Sequence, residues 1–394
     1  MLSVAEARAR ILSGIRPVGS EEVSLLDAAG RVLAEPLTSR RTQPPFAASA
    51  MDGYAVRRSY SQPGMTLRVV GEAAAGRGWT GTLGPGEAVR IFTGAPVPEG
   101  ADDILIQEDA ERNGDTITVR ETRDQARHIR PAGADFAAGA PFPGLGPLTS
   151  LDIALLAAMN HAHLPVRRKP VVALIPTGDE LVPPGAAPGP DQIVSSNNYG
   201  LAAMLAQAGA APRLLPIASD SPDSLRATLA LASDVDLIVT LGGASVGDHD
   251  LVQETAIAEG LTLDFYKIAM RPGKPLMAGT LRGTPMIGLP GNPVSAMVCG
   301  VIFVLPVIRA YLGLPPDPVI RMGRLANAVP ANGPREHYMR ARLTETADGP
   351  LVEVFERQDS SLLHVLQAAN CLAIRPPRAP ASEPGDAVAF LPLP

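Results

Sequence analysis

Three loops of this sequence hold residue types that could handle a phosphate and a divalent cation. Thr177-Gly-Asp-Glu-Leu181 carries the paired carboxylates Asp179 and Glu180. Gly242-Gly-Ala-Ser-Val-Gly-Asp-His-Asp250 offers Gly242 and Gly243, then Ser245, Asp248 and Asp250. Pro290-Gly-Asn-Pro-Val-Ser295 places Asn292 and Ser295 around Pro293 at what reads as a helix start. A glycine-rich turn entering a helix points backbone N–H groups outward, which suits an oxyanion. Carboxylates beside such a site oppose an anion unless Mg²⁺ bridges one or two of them to substrate phosphate oxygens. A fourth segment, Lys267-Ile-Ala-Met-Arg-Pro-Gly-Lys274, gathers Lys267, Arg271 and Lys274, which could neutralise a phosphate or another dianion.

Each feature also has a plainer reading. Asp179-Glu180 would serve as a solvated turn. Asp250, and Asp220 ahead of Ser221-Pro222, would serve as helix caps. Asn292 followed by Pro293 is a well-made helix start, and three basic residues are ordinary surface charge. Other motifs carry less. Gly76-Arg-Gly-Trp-Thr-Gly81 has dinucleotide-loop spacing, but the breaker run Thr82-Leu-Gly-Pro-Gly86 follows it instead of a helix. His161 and His163 are too isolated to argue a metal, and Cys299 and Cys371 form no Cys-x-x-Cys pair.

What positions the three loops is the run before each. Val171–Pro176, Leu237–Leu241 and Pro285–Leu289 are apolar and strand-like. In an open α/β sheet, ligands sit outside the carboxyl ends of parallel strands, so the three loops should converge on one crevice. Strand and helix alternate from 170 to 314. Helices are predicted near 197–207, from Ser221-Pro222, over 250–259 and over 293–311, with a further strand near 213–217. This alternation predicts a doubly wound, mainly parallel sheet with helices on both faces. Residues 46–138 read as a β-rich module, with runs at 67–70, 88–92 and 116–119 and a hairpin signal at Asn113-Gly114. Residues 315–394 read as a second β domain. Residues 1–45 and 139–169 form a linking region with helices over 3–15 and 149–160, the latter opened by Thr149 and Asp152 at capping-box spacing.

Composition narrows the function. At 394 residues the chain exceeds one ordinary core, so about two to four domains are expected. The formal net charge of −6 gives no reason to expect nucleic-acid binding. The N-terminus has no signal-peptide apolar core, and the uncharged run from Pro293 to Ile308 is short of the ~20 residues a membrane span needs. A cytoplasmic protein with no membrane contact is expected, and two cysteines fit a reducing compartment.

Taken in order, several stretches resemble the molybdopterin molybdenumtransferase family, which includes MoeA and the gephyrin C-terminal E domain. They are Ser49-Ala-Met-Asp-Gly-Tyr-Ala-Val56, Arg90-Ile-Phe-Thr-Gly-Ala95, Thr177-Gly-Asp-Glu-Leu181, Gly242-Gly-Ala-Ser-Val-Gly-Asp248, Met270-Arg-Pro-Gly-Lys-Pro275 and Gly288-Leu-Pro-Gly-Asn-Pro-Val-Ser295. The resemblance covers essentially the whole chain. It implies a multidomain subunit: a molybdopterin-binding α/β domain, a β-rich N-terminal module, a helical dimerisation region and a C-terminal β domain. It also implies a homodimer, whose clefts take residues from both subunits, in transient contact with other molybdenum-cofactor biosynthesis proteins.

The implied reaction inserts molybdenum from molybdate into adenylylated molybdopterin and releases AMP, with Mg²⁺. By matching positions, Asp52 and Thr93 belong to the substrate cleft, and Asp135 is a further acidic candidate. Glu180, Asp220 and Asp250 are the acidic residues, with Glu180 and Asp250 at the metal. Lys267, Arg271 and Lys274 bind oxyanion, beside Gly242, Gly243, Ser245, Pro290, Asn292 and Ser295. The segment Arg357–Leu372 departs from the family pattern, with Ser361 and Cys371 where glycine is expected. Three other readings stay open: the preceding adenylylation step, a scaffold without catalysis, and tungstate in place of molybdate.

Overall fold

In a computed structural model of the chain, the first two strands of the α/β segment lie side by side and parallel. Val171–Pro176 pairs with Leu237–Leu241 on one side and Ala211–Leu214 on the other. Leu237–Leu241 in turn pairs in parallel with Thr284–Leu289. Two strands not anticipated from the sequence, Met277–Leu281 and Leu261–Tyr266, extend the sheet antiparallel beyond that. The six-stranded sheet is therefore mixed, and its parallel half carries the three loops. The structure describes residues 1–121, 126–242 and 251–394.

Alternation along the strands builds two faces. Ala173, Ile175, Ile238 and Met286 meet Leu225 and Leu229 of the helix Pro222–Ala230, and Val252 and Ala256 of the helix Leu251–Ala258. Val172, Leu174, Val239 and Leu241 are buried on the opposite face, where the helix Asn197–Gln207 and the long helical stretch Pro293–Tyr311 approach closely. A Cβ on Gly300 would lie 2.7 Å from Met204 Cε and 2.8 Å from Leu201 Cδ1, so a larger residue there would have to displace both side-chain ends. Pro293–Tyr311 is long and apolar enough to cross a membrane, but it is mostly buried within the fold. It is not one regular helix as predicted. The segment Gly300–Val304 is π-helical, just before Pro306, which has no N–H to give the preceding turn.

The C-terminal strands close on themselves. Glu336–Thr346 pairs with Gly349–Val354 along its second half and with Cys371–Arg375 along its first. Arg321–Leu325 and Ala387–Pro392 complete the ring around Leu325, Ala341, Val352, Ala373 and Phe390. Met270–Arg271, from within the α/β segment, adds a short parallel strand to Glu336–Thr346.

The chain divides into two compact units, Met1–Glu21 with Arg167–Pro394, and Glu22–Val166. The first helix, Val4–Ser13, belongs to the larger unit. The smaller unit has a six-stranded mixed sheet in the order Asp103–Ile106, Gly53–Val56, Glu87–Ile91, Thr66–Ala73, Thr116–Val119, Ala110–Asn113. Its hairpin turns at Gly114-Asp115, since Asn113 pairs with Thr116, one residue beyond the predicted Asn113-Gly114. A separate core around Phe136, Phe142, Leu156 and Val166 includes the helix Ser150–Ala158. The expected capping box is present: Asp152 N–H donates to Thr149 Oγ1 at 3.2 Å, and Thr149 N–H to Asp152 Oδ2 at 2.7 Å.

Candidate active site

The three strands end at one level. Pro176 is the register partner of Leu241, and Leu241 of Leu289. The chain leaves each strand through a hydrogen bond to its neighbour: Thr177 N–H donates to Leu241 O at 2.9 Å, and Gly242 N–H to Leu289 O at 3.1 Å. Gly242 takes φ 102°, and Gly291 follows at the same edge. Above these ends lies a cleft of about 550 Å³. Glu180, Gly242, Pro290 and Asn292 line it together, as the sequence predicted.

Only part of the predicted acidic cluster lies there. Glu180 is exposed and is the one described carboxylate in the lining. Asp179 instead turns its Oδ1 to the backbone N–H of Asp220 at 3.0 Å, which ties two loops together, and Asp220 is absent from the lining. Gly243, Ser245, Asp248 and Asp250 lie outside the described residues. Ser295 is buried in the helix, one turn behind the cleft.

Asn292 sits at the N-cap position but makes no side-chain cap. Its Nδ2 donates to Ser360 Oγ at 3.2 Å, and Val294 N–H donates to Ser360 O at 3.1 Å. The 357–361 loop of the C-terminal sheet thereby reaches the cleft, and Ser361 lines it. That loop is held from below by Arg340, which is fully buried and whose Nη2 donates to Asp359 O at 2.9 Å. Burial, together with nearby Arg271 and despite Asp359, lowers the Arg340 guanidinium to about 10.

The basic segment divides. Of 267–275 only Pro275 lines the cleft. Lys267 has φ 73° and holds its ammonium 4.9 Å from the Tyr266 ring centre, while Arg271 lines a different cavity. The sequence reading took Ser195 or Ser196 as the cap of a helix starting near Asn197 and gave none of Ser195, Ser196, Asn197 and Asn198 a place in the site. All four line the cleft, and Asn197 Nδ2 donates to Gly291 O at 2.7 Å. Four consecutive polar residues spanning a helix start in an α/β segment were the available signal.

Asp52 and Thr93 meet in the smaller unit. Asp52 Oδ1 accepts from Thr93 N–H at 2.7 Å and from Thr93 Oγ1 at 2.9 Å. The Thr93 backbone bond, then its hydroxyl, holds the Asp52 carboxyl below the usual carboxylate range. Arg90 stacks between Tyr54 and Phe92, 5.1 and 4.7 Å from their ring centres. Asp135 lines a recess of about 500 Å³ with Phe46, Gly94 and Arg130.

Comparison with known proteins agrees with this layout. Residues 2–160 match the MoeA N-terminal region (domain I and II). Residues 173–310 match a probable molybdopterin binding domain, and residues 322–393 the MoeA C-terminal region (domain IV). A molybdopterin molybdenumtransferase of Nostoc sp. is 38% identical, over 91% of this chain and 85% of that protein. The chain belongs to the molybdopterin molybdenumtransferase family. The Bacillus subtilis family member is 34% identical over 99% of this chain and 94% of its own. The crystal structure of a molybdopterin biosynthesis moea protein from Pyrococcus horikosii superposes with a TM-score of 0.87 at 29% identity, covering 100% of this chain and 99% of that one. Within a molybdopterin molybdenumtransferase fold, the strand-end cleft belongs to the segment matched as molybdopterin-binding, and Ser361 reaches it from the segment matched as domain IV.

Proposed function

We propose that the protein inserts molybdenum from molybdate into adenylylated molybdopterin and releases AMP. The observation that carries this reading is the cleft at the ends of Val171–Pro176, Leu237–Leu241 and Thr284–Leu289, where Glu180, the one carboxylate among the described lining residues, stands beside the loops of Gly242 and Gly291. Family membership supports a transferase acting on molybdopterin.

The Gly242 and Gly291 loops bind the phosphates through backbone N–H groups, and Asn197 fixes the second loop by its bond to Gly291 O. Glu180 fits a Mg²⁺ ligand, because its carboxylate is exposed in the cleft with no basic residue among the described lining residues. Glu180 and Asp250 would hold the ion. When bound, Mg²⁺ supplies charge neutralisation at the phosphoanhydride. Molybdate binds against the segment that reaches the cleft at Pro275, with Lys267 and Lys274, which lie outside the described lining, as the nearby cations, and Ser360 and Ser361 close the cleft beside Asn292. Asp52, kept ionised and oriented by Thr93, acts on the pterin side. No protein nucleophile is required. The protein works as a homodimer in contact with other proteins of molybdenum-cofactor synthesis.

The test is AMP release from adenylylated molybdopterin, with and without molybdate. Molybdate-dependent release is expected. Its absence with both substrates bound returns the protein to the scaffold reading.

A further inference from the structure

Lys267 holds φ 73°, a left-handed conformation that a residue with a Cβ keeps only where its surroundings fix it. The segment that follows closes partly on itself: Lys267 N–H donates to Leu276 O at 3.0 Å, and Ile268 N–H to Lys274 O at 3.1 Å. Ala269 joins it to the rest of the larger unit. Its carbonyl accepts from Glu336 N–H at 2.9 Å, and its N–H donates to Leu2 O at 2.8 Å. Leu2 and Ile268 also form a parallel bridge, so three segments distant in sequence meet here.

Leu2 is followed at once by a capping box. Ser3 N–H donates to Glu6 Oε2 at 2.9 Å, and Glu6 N–H to Ser3 Oγ at 3.2 Å. The helix Val4–Ser13 then buries Val4 and Ala7. Farther along it, Arg10 Nη1 donates to Asp264 Oδ1 at 3.1 Å. Asp264 sits at a bulge of the strand Leu261–Tyr266, where the register shifts between Leu263 and Phe265, and a bulge re-aims a side chain. Arg10 and Asp264 border a cavity of about 330 Å³ that separates the end of the helix from Ala278, Gly279 and Ile287. There the helix is held to the sheet by the ion pair, not by a continuous packed face. The N-terminal segment thus grips the chain on both sides of Lys267: at Asp264 before it, and at Ile268 and Ala269 directly after it. Among the described residues, none of 1–13 lines the strand-end cleft.

We propose that residues 1–13 set the backbone of Lys267, and with it the place of Lys267 and Lys274 beside the cleft, so that Leu2 and Arg10 are positioning residues for the oxyanion. The inference rests on the reading of these two lysines as the cations near molybdate. Release of either grip lets Lys267 leave the left-handed region for the conformations a lysine prefers. The two ammonium groups then sample more positions. Binding molybdate must first order them, which weakens affinity without touching the chemistry of transfer.

Two variants test it. Deleting Leu2 and Ser3 leaves no residue to meet Ala269, and Arg10→Asp sets like charges against each other. Arg10→Asp combined with Asp264→Arg rebuilds the pair in reverse. Without ligand, both variants should show faster amide hydrogen exchange over residues 267–276. Molybdate Kd by calorimetry, and its KM in AMP release, should rise about fivefold in the deletion, the equivalent of roughly 1 kcal/mol, and by less in Arg10→Asp. The kcat at saturating molybdate should hold, and the reversed pair should recover affinity. Arg10 and Asp264 are exposed, so Arg10→Asp carries the test if the deletion fails to fold. Unchanged molybdate affinity in the folded variants, or a fall in kcat alone, overturns the proposal. Lys274→Ala separates this failure from that of the reading beneath it. If Lys274→Ala weakens molybdate binding and the N-terminal variants do not, the positioning role fails and the oxyanion reading stands. If Lys274→Ala also leaves binding unchanged, the oxyanion reading fails and takes the positioning role with it.

Discussion

Gly242 lies so close to Thr177 that a Cβ on Gly242 would sit 2.5 Å from the Thr177 carbonyl oxygen. The contact fixes how two of the three strand-end loops enter the cleft. Gly242 also holds φ 102°, which side chains rarely adopt. Gly242→Ala is therefore expected to lower stability by at least ~1–3 kcal/mol, the usual cost of such backbone strain. Urea unfolding measures it. An unchanged midpoint would show that the loop relaxes freely.

Glu180→Gln keeps the shape of the side chain and removes its charge. Folding should be unaffected, since Glu180 is exposed and among the described residues only its backbone carbonyl is bonded, to Ile193 N–H at 2.7 Å. AMP release should fall roughly 100-fold or more, as for other single electrostatic groups acting on a transition state. Activity that survives this change, or survives excess chelator, removes Glu180 from the metal.

Asp52 and Thr93 can be separated. Thr93→Val deletes the hydroxyl donor but leaves the backbone N–H that does most to hold Asp52 ionised. Asp52→Asn removes the charge itself. The expected order of AMP-release activity is wild type, then Thr93→Val, then Asp52→Asn, with superimposable circular dichroism spectra. Equal activity in all three would return Asp52 to a turn-forming role.

Lys274→Ala should weaken molybdate binding and flatten its dependence on salt, because a half-buried cation is still partly screened by ions over ~10 Å at ordinary ionic strength. Parallel salt curves for variant and wild type would leave Lys274 as surface charge.

Asp236 supplies a pH test of the scaffold. It accepts from Arg168 Nη1 and Nη2 at 2.7 and 2.6 Å and from Val171 N–H at 2.7 Å, at the start of the first strand. Burial works to raise its pKa, but Arg168 and the Val171 N–H outweigh it, and the net shift is downward. A depressed folded pKa gives stability that is present above the unfolded value of ~3.9 and is lost as pH falls through the folded value. Asp236→Asn should cost about 1–3 kcal/mol at neutral pH and little in acid. A penalty that does not shrink in acid would mean that packing, not charge, is lost.

How much of this was legible beforehand follows from range. The three strand ends could be read because apolar runs ending in glycine or proline are local, and parallel strands must bring such ends together. The capping box of Thr149 and Asp152 was visible for the same reason. The antiparallel strands Leu261–Tyr266 and Met277–Leu281 were missed although Leu261, Leu263 and Phe265 alternate with Thr262 and Asp264, because both runs are short and a basic loop with Pro272 and Gly273 separates them. Arg271 was grouped with Lys267 and Lys274 by spacing, but pairing with a strand more than sixty residues away turned it to another cavity. Arg340 was illegible: its strand is buried on both faces from His337 to Ala341, and nothing local shows that a guanidinium would be enclosed there. The Asp179–Asp220 bond dispersed a carboxylate cluster that looked coherent in one dimension.

The short strand Met270–Arg271 means that the C-terminal sheet is not written entirely in the C-terminal sequence. One of its edges is lent by a segment that precedes it in the chain. A fragment cut at residue 315 would expose the backbone of Glu336 and His337 where that strand belongs, and would lose Arg271 from the cavity it helps to line. The α/β portion alone would keep an orphaned strand and a cleft without Ser361. The two halves are thus separate in sequence but not in modularity, and grafting either onto another protein should require both.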